Sequence, residues 1–115
     1  MKLPIKKLHA DALAPLQVAV ALFAELEQSG HDSTNRSATL GDLANAHRAL
    51  GDFPDALTAA EQALALDRAR DDQSAVARGE GQIATILHVQ GRHTASEARY
   101  HAAVQAAQLA GDDEA

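Results

Sequence analysis

The sequence predicts an all-α chain of about five helices, stacked as antiparallel hairpins into an open solenoid. Three observations carry this. Alanine supplies 27 of the 115 residues, and it is the strongest helix former and scarce in strands. Apolar residues recur at i, i+3, i+4 and i+7 rather than in alternation. Turn signals fall at regular intervals: Gly30-His31-Asp32-Ser33, Gly51-Asp52-Phe53-Pro54, Arg70-Asp71-Asp72, Gly91-Arg92-His93-Thr94 and Gly111-Asp112-Asp113. The stretches between them hold roughly 17 to 20 residues, enough for four or five helical turns each.

Taken in order, the first helix is bounded by Pro15 near its start and Gly30 just past its end, so Leu13 to Gln28 forms one helix and Leu3 to Asp11 the tail of another. In the second, Leu40, Leu43, Ala44, His47 and Leu50 share a face. The third gathers Ala56, Leu57, Ala60, Ala63 and Leu64. Asp52 stands where it can cap that helix, with Pro54 in the first turn, where a missing N–H costs little. Val76, Ile83, Ala84 and Leu87 line the fourth; Ser96, Tyr100, Ala103, Val104 and Ala107 line the fifth. Thr94-Ala95-Ser96-Glu97 matches a capping box at the start of that last helix. The expected rival is an antiparallel four- or five-helix bundle closed around one core.

Composition limits both core and partners. Leu, Ile, Val and Phe make up about a fifth of the chain and there are three aromatics, near the lower bound for a packed core. Small residues must therefore bring backbones together. The absence of cysteine excludes a disulfide scaffold and a zinc-thiolate module. Sixteen acidic against ten basic side chains give a net charge of −6, which disfavours nucleic acid. All three lysines lie in the first seven residues, but Pro4, Lys6, Lys7, His9 and Asp11 interrupt any signal-like apolar core there. The apolar run Leu16 to Leu22 is too short to span a bilayer. No membrane association and a cytoplasmic location are the expectations.

Shifting the chain by 40 residues places Gly41 on Gly81, Ala44 on Ala84, Gly51 on Gly91, Ala63 on Ala103 and Asp72 on Asp112, with Leu43 on Ile83 and Leu64 on Val104. The matches fall on the turn glycine and on small residues within each helix. Residues 37–70 carry Leu40-x2-Leu43-Ala44-x2-His47, then Gly51-Asp52-Phe53-x2-Ala56, then Ala60 and Ala63; residues 77–110 carry Glu80-x2-Ile83-Ala84-x2-Leu87, then Gly91-x-His93-x2-Ser96, then Tyr100 and Ala103. This pattern resembles the tetratricopeptide repeat, a helix-turn-helix unit with small and aromatic residues at fixed spacing. Leu40 and Glu80 stand where that family carries a bulky aromatic, and Arg68 and Gln108 replace its closing proline. The period of 40 is similar to the long repeats of bacterial regulatory proteins and kinesin light chains. The chain reads as one domain over 1–115: a partial N-terminal repeat at 1–30, one repeat at 31–70 and a second at 71–112. Arrays of this kind need about three units. The chain is thus expected to be a piece of a longer array, or to cover an apolar face around Leu16, Val20 and Phe23 with another copy.

Residues that could carry chemistry do not converge. His93, Glu97 and His101 lie along one face of the fifth helix but spread about 12 Å along its axis, too far for one metal ion; His93 is expected in the interhelix slot that Phe53 fills in the other unit. Gly79-Glu80-Gly81 has neither the preceding strand nor the following Lys-Ser/Thr of a phosphate loop. No serine sits in a nucleophile elbow. The chain is expected to have no catalytic centre, cofactor or metal.

What remains is a surface. The resemblance implies that the first helix of each unit lines a concave groove for a peptide or partner helix of another protein. On this chain that assigns the groove to Ala38, Gly41, Asn45, Arg48 and Ala49, then Arg78, Gly81, Gln82, Thr85, His88 and Val89. Asn45, Arg48, Arg78, Gln82, Thr85 and His88 are the expected peptide contacts, with the arginines favouring an acidic segment. Gly41 and Gln82 replace the Lys and Asn of the family's chaperone-binding clamp. Alternatives from other classes are a scaffold that self-associates through its N-terminal helix, and a regulatory segment of a larger bacterial signalling or transcription-regulatory protein.

Overall fold

Left-handed residues punctuate the chain about every twenty positions, and they fix where it reverses. Gly30, Gly51, Asp71 and Gly91 have φ of 100°, 81°, 55° and 80°. The last three close their helices with the same pair of bonds. Gly51 N–H donates to the Arg48 carbonyl (3.0 Å) and Asp52 N–H to the His47 carbonyl (2.9 Å). Asp71 and Asp72 repeat this on Arg68 and Asp67, and Gly91 and Arg92 on His88 and Leu87. Such a cap satisfies the last carbonyls and turns the chain within three residues.

The computed structural model describes residues 5–114, without the side chains of 112–114. Lys2, Leu3 and the Asp72–Asp112 correspondence therefore lie outside the described residues. Five helices follow in order: α1 (Ile5–Gln28), α2 (Thr34–Ala49), α3 (Phe53–Ala69), α4 (Gln73–Val89) and α5 (His93–Glu114). The main helix contacts run between sequence neighbours, α1 on α2, α2 on α3, α3 on α4 and α4 on α5. The radius of gyration is 15.0 Å, against about 13 Å for a compact chain of this length. The helices form an open stack of antiparallel hairpins, not a closed bundle.

Close backbone approach holds the stack. Ala44, Ala56, Ala60, Ile83, Ala84 and Ile86 have no exposed surface. The matched pairs Ala44 and Ala84, and Leu43 and Ile83, are buried alike. At Ala56 and Ser96 the correspondence gains a bond, because the buried Ser96 hydroxyl donates to the Ala84 carbonyl at 2.8 Å. Correspondence fails where covering helices differ. Leu64 is 1 % exposed beneath α4, whereas its counterpart Val104, which no helix covers among the described residues, is 56 % exposed.

Four local expectations are corrected. First, α1 does not begin at Pro15 but runs through it from Ile5. Pro15 is exposed, so the carbonyl one turn earlier that it leaves unbonded faces water, and Ala10, Ala12 and Ala14 around it are strong helix formers. Second, Gly111 does not end α5. Third, Thr94 is not a cap: α5 opens at His93, with Ser96 N–H donating to the Arg92 carbonyl. Asp52 occupies the N-cap of α3 without a side-chain bond, whereas Asp72 caps α4 by accepting from Ala75 N–H at 3.1 Å. Fourth, Leu16 and Val20 are half-buried against the core beside Leu13, and Phe23 is half-buried too, so the open apolar face of α1 is formed by other residues. By length and composition α1 is also apolar enough to cross a membrane.

Two predictions follow from the helix ends. Gly51→Ala should cost about 1 kcal/mol in urea unfolding because its β-carbon meets the left-handed penalty, while Asp71→Gly, which relieves that penalty, should be neutral or stabilising. Asp32 accepts the Thr34 N–H at 3.1 Å, and this bond holds its carboxyl below the ordinary value of 3.8. Its contribution is therefore complete above the unfolded pKa and lost as pH falls through the folded one. Asp32→Ala should lower the melting temperature at pH 7, and the difference from the parent should shrink as pH falls below about 4.

Candidate interaction groove

α2 and α4 lie side by side, one hairpin apart, and leave a groove of about 470 Å³ between them. Its lining includes Ala38, Gly41, Asn45 and Arg48 from α2, and Arg78, Gly81, Gln82 and Thr85 from α4. Ala63 and Asp67 of α3 close the bottom. Five of the six side chains expected as peptide contacts thus meet in one hollow: Asn45, Arg48, Arg78, Gln82 and Thr85. His88 is not among its lining residues. It is exposed at the end of α4, with its ring edge-on to His93 at a centroid distance of 4.9 Å. Ala49 and Val89 also fall outside the groove.

Gln82 is the crosslink between the walls. Its Nε2 donates to the Gly41 carbonyl at 2.8 Å and to the Asn45 Oδ1 at 3.0 Å. That pairing sets Gly41 and Asn45 beside Gln82, so Ala38 lies opposite Arg78, and Arg48 lies ten residues further along, about 15 Å away along the axis. Arg48 and Arg78 have no ion-pair partner among the described residues, whereas Arg70, also on the rim, is held by Asp67 and Ser33. Asp42 is the exposed acidic residue of the lining. A β-carbon at Gly81 would meet nothing within 4 Å, so the groove is open there. Thr85 directs its hydroxyl to the Gly81 carbonyl at 3.0 Å.

Beneath the groove lies a set of buried charges that the sequence reading passed over. Glu80 is 1 % exposed. Arg68 of α3 donates to one of its oxygens, and Arg99 of α5 to the other at 3.1 Å. Arg99 also reaches Glu61 at 2.7 Å. One carboxylate thereby ties α3, α4 and α5 together. Asp67, also buried, accepts from the Ser37 hydroxyl and from Arg70, the latter at 2.7 Å. The readable signal was an acid on an apolar face, since Glu80 lies four residues from Val76 and three from Ile83. Gly79 beside it allows close packing, because a β-carbon there would lie 3.2 Å from Leu64 Cδ1.

The histidines do not form the cluster weighed from sequence. His93, Glu97 and His101 are all exposed, and His93 does not fill the slot of the half-buried Phe53. His93 sits at the solvent edge of the turn because Ala95 and Ser96 make the inward contacts of α5. His47, Asp52 and Asp55 bring a ring nitrogen and two carboxylates within 4.8 Å of one another. Both carboxylates are exposed, and the spacing is that of a helix end meeting the next helix start.

Comparison of the chain with protein-family models, curated proteins and solved structures finds no match in any of the three. The resemblance to tetratricopeptide repeats therefore rests on the residues quoted above.

The buried carboxylate gives an asymmetric prediction. Arg68 and Arg99 are 58 % and 33 % exposed, against 2 % for the Glu80 side chain. Freed arginines can return to water; a freed Glu80 cannot. The double variant Arg68→Met/Arg99→Met should cost about 3–5 kcal/mol, and Glu80→Met should cost less, as read from chemical denaturation.

Proposed function

We propose that the chain is a non-catalytic protein-interaction module that takes an acidic, extended peptide segment of a partner in the groove between α2 and α4. One observation carries the reading. Two guanidinium groups without ion-pair partners among the described residues, Arg48 and Arg78, stand about 15 Å apart along one open groove. Guanidinium is the side chain suited to carboxylates, which it binds through paired N–H donors. An extended peptide advances about 3.3 Å per residue, so acids four or five residues apart match the two cations. Between them Gln82 and Asn45 offer amide groups to a peptide backbone, at the cost of their mutual bond. Gly81 leaves room for the backbone to approach.

The tetratricopeptide-like pattern supports the same face, since in that family the first helices of successive units line the binding groove. No set of nucleophile, base and oxyanion donors competes with this reading within the described residues.

Fluorescence anisotropy with a labelled ten-residue peptide carrying two glutamates five positions apart tests it. Arg48→Ala and Arg78→Ala should each weaken binding tenfold or more with little change in melting temperature, and affinity should fall with added salt. Replacing both peptide glutamates with glutamine should abolish binding. Equal affinity for the glutamine peptide, or for the doubly substituted protein, rejects the assignment.

A further inference from the structure

The convex side of α1 departs from the repeat it belongs to. At the positions forty residues later, α3 turns Asp55, Thr58 and Gln62 to solvent; α1 carries Pro15, Val18 and Leu22 there, also exposed. Leu8 and Leu26 extend this face, a stripe along a helix about 36 Å long, with the exposed Asp11 set between Leu8 and Pro15. Val18 and Leu22 are more than half exposed (58 % and 54 %). The stripe lies apart from Leu13, Leu16 and Val20, which pack on the core. An exposed apolar face of this extent marks an interaction surface.

The charges beside the stripe indicate what covers it. Lys7 and Glu25 are eighteen residues apart, five full turns, and so project from the same flank of α1. Both are exposed, and neither takes part in an ion pair among the described residues. A helix basic at one end and acidic at the other, on one flank, complements itself when a second copy runs antiparallel. Like flanks then face each other across the two-fold axis. A parallel two-fold pair would bring opposite flanks together and leave Lys7 and Glu25 at opposite ends, so the two could not meet.

We propose that α1 is the interface of a two-fold homodimer in which it pairs antiparallel with α1 of a second copy. Leu8 of each chain meets Leu22 of the other, the two Pro15 residues lie at the axis, and each Lys7 faces the opposite Glu25. Asp11 lies on the same face, one turn from its own Lys7. An anionic lipid surface is a poorer occupant, since Asp11 and Glu25 adjoin the stripe.

Sedimentation equilibrium over a concentration series reads the association directly, with circular dichroism reporting that each variant keeps its helices. The parent should dimerise. Leu22→Glu should weaken the dimer at least tenfold, as should Lys7→Glu or Glu25→Lys alone, while the swap Lys7→Glu/Glu25→Lys should restore it. Because the chain has no cysteine, crosslinks give the direction. Pro15→Cys should oxidise to a disulfide dimer by itself, and Leu8→Cys should link to Leu22→Cys in a mixture, whereas Leu22→Cys alone should not. A parent that stays monomeric, a swap that fails to rescue, or self-linking of Leu22→Cys overturns the proposal. So does α1-dependent binding to phosphatidylglycerol vesicles by a chain that shows no dimer.

Discussion

The fold depends on how closely helix backbones can approach at a few alanines. Ala44, Ala56, Ala60 and Ala84 are fully buried although each contributes a single methyl group. Their worth lies in bringing together the longer side chains around them, Leu40, Leu43, Leu64, Ile83, Ile86 and Leu87. With so few large apolar residues, the chain cannot fill a wide interior, and a closed bundle of these five helices would leave voids. A stack in which each helix touches its sequence neighbours needs only narrow seams. The open shape and the alanine-rich composition are thus one fact, and the groove between α2 and α4 follows from it.

Buried charge works alongside that economy. Glu80 stands on the face where Val76, Ile83 and Leu87 make the core, and two arginines from different helices meet it. A buried ion pair yields little net stability over an apolar replacement. Its effect is on geometry: two oxygens of one carboxylate each accept from a different helix, so α3 and α5 are held in one register against α4. The bidentate bond of Arg36 to Glu27, with both contacts at 2.8 Å, does the same for α1 and α2. Alanine seams alone could slide by a turn with modest loss, because methyl groups look alike; these charge contacts have a single correct alignment.

Much of this was legible beforehand. The hairpin order, the turn glycines Gly51 and Gly91, and the inward Ala44, Ala56, Ala60 and Ala84 come from local rules that tertiary context did not override. Five of the six candidate groove residues converge because a forty-residue register, once found, fixes which helix faces share a side. His88 falls away because its ring lies against His93 at the start of α5. The misreadings share a cause. Pro15 looked like a boundary because proline is usually one, but on an exposed helix face between alanines it costs only a solvated carbonyl bond. Glu80 looked like a missing aromatic because each residue was compared with a pattern, whereas its partners Arg68 and Arg99 come from two other helices. The open face of α1 was misplaced because apolar residues populate both its sides, and only packing tells which side is inward.

The groove and the α1 stripe are independent surfaces. The groove is lined from α2, α3, α4 and the turn between the last two, with no residue of α1. Pairing through α1 would therefore leave both grooves of a dimer open. That bears on the proposed peptide affinity, since a single groove with two arginines, Arg78 exposed and Arg48 half-buried, pays for ordering an extended peptide and gains only a few charge-assisted bonds in return. Two grooves on one particle convert the second engagement into an intramolecular event, which raises apparent affinity about 10²–10⁴-fold without any new contact when the spacing allows both to be filled. A partner that is itself dimeric, or that carries its acidic segment twice, would profit; a lone segment would not. Under the two proposals, the apparent affinity for a repeated acidic segment would depend on α1 pairing as well as on Arg48 and Arg78.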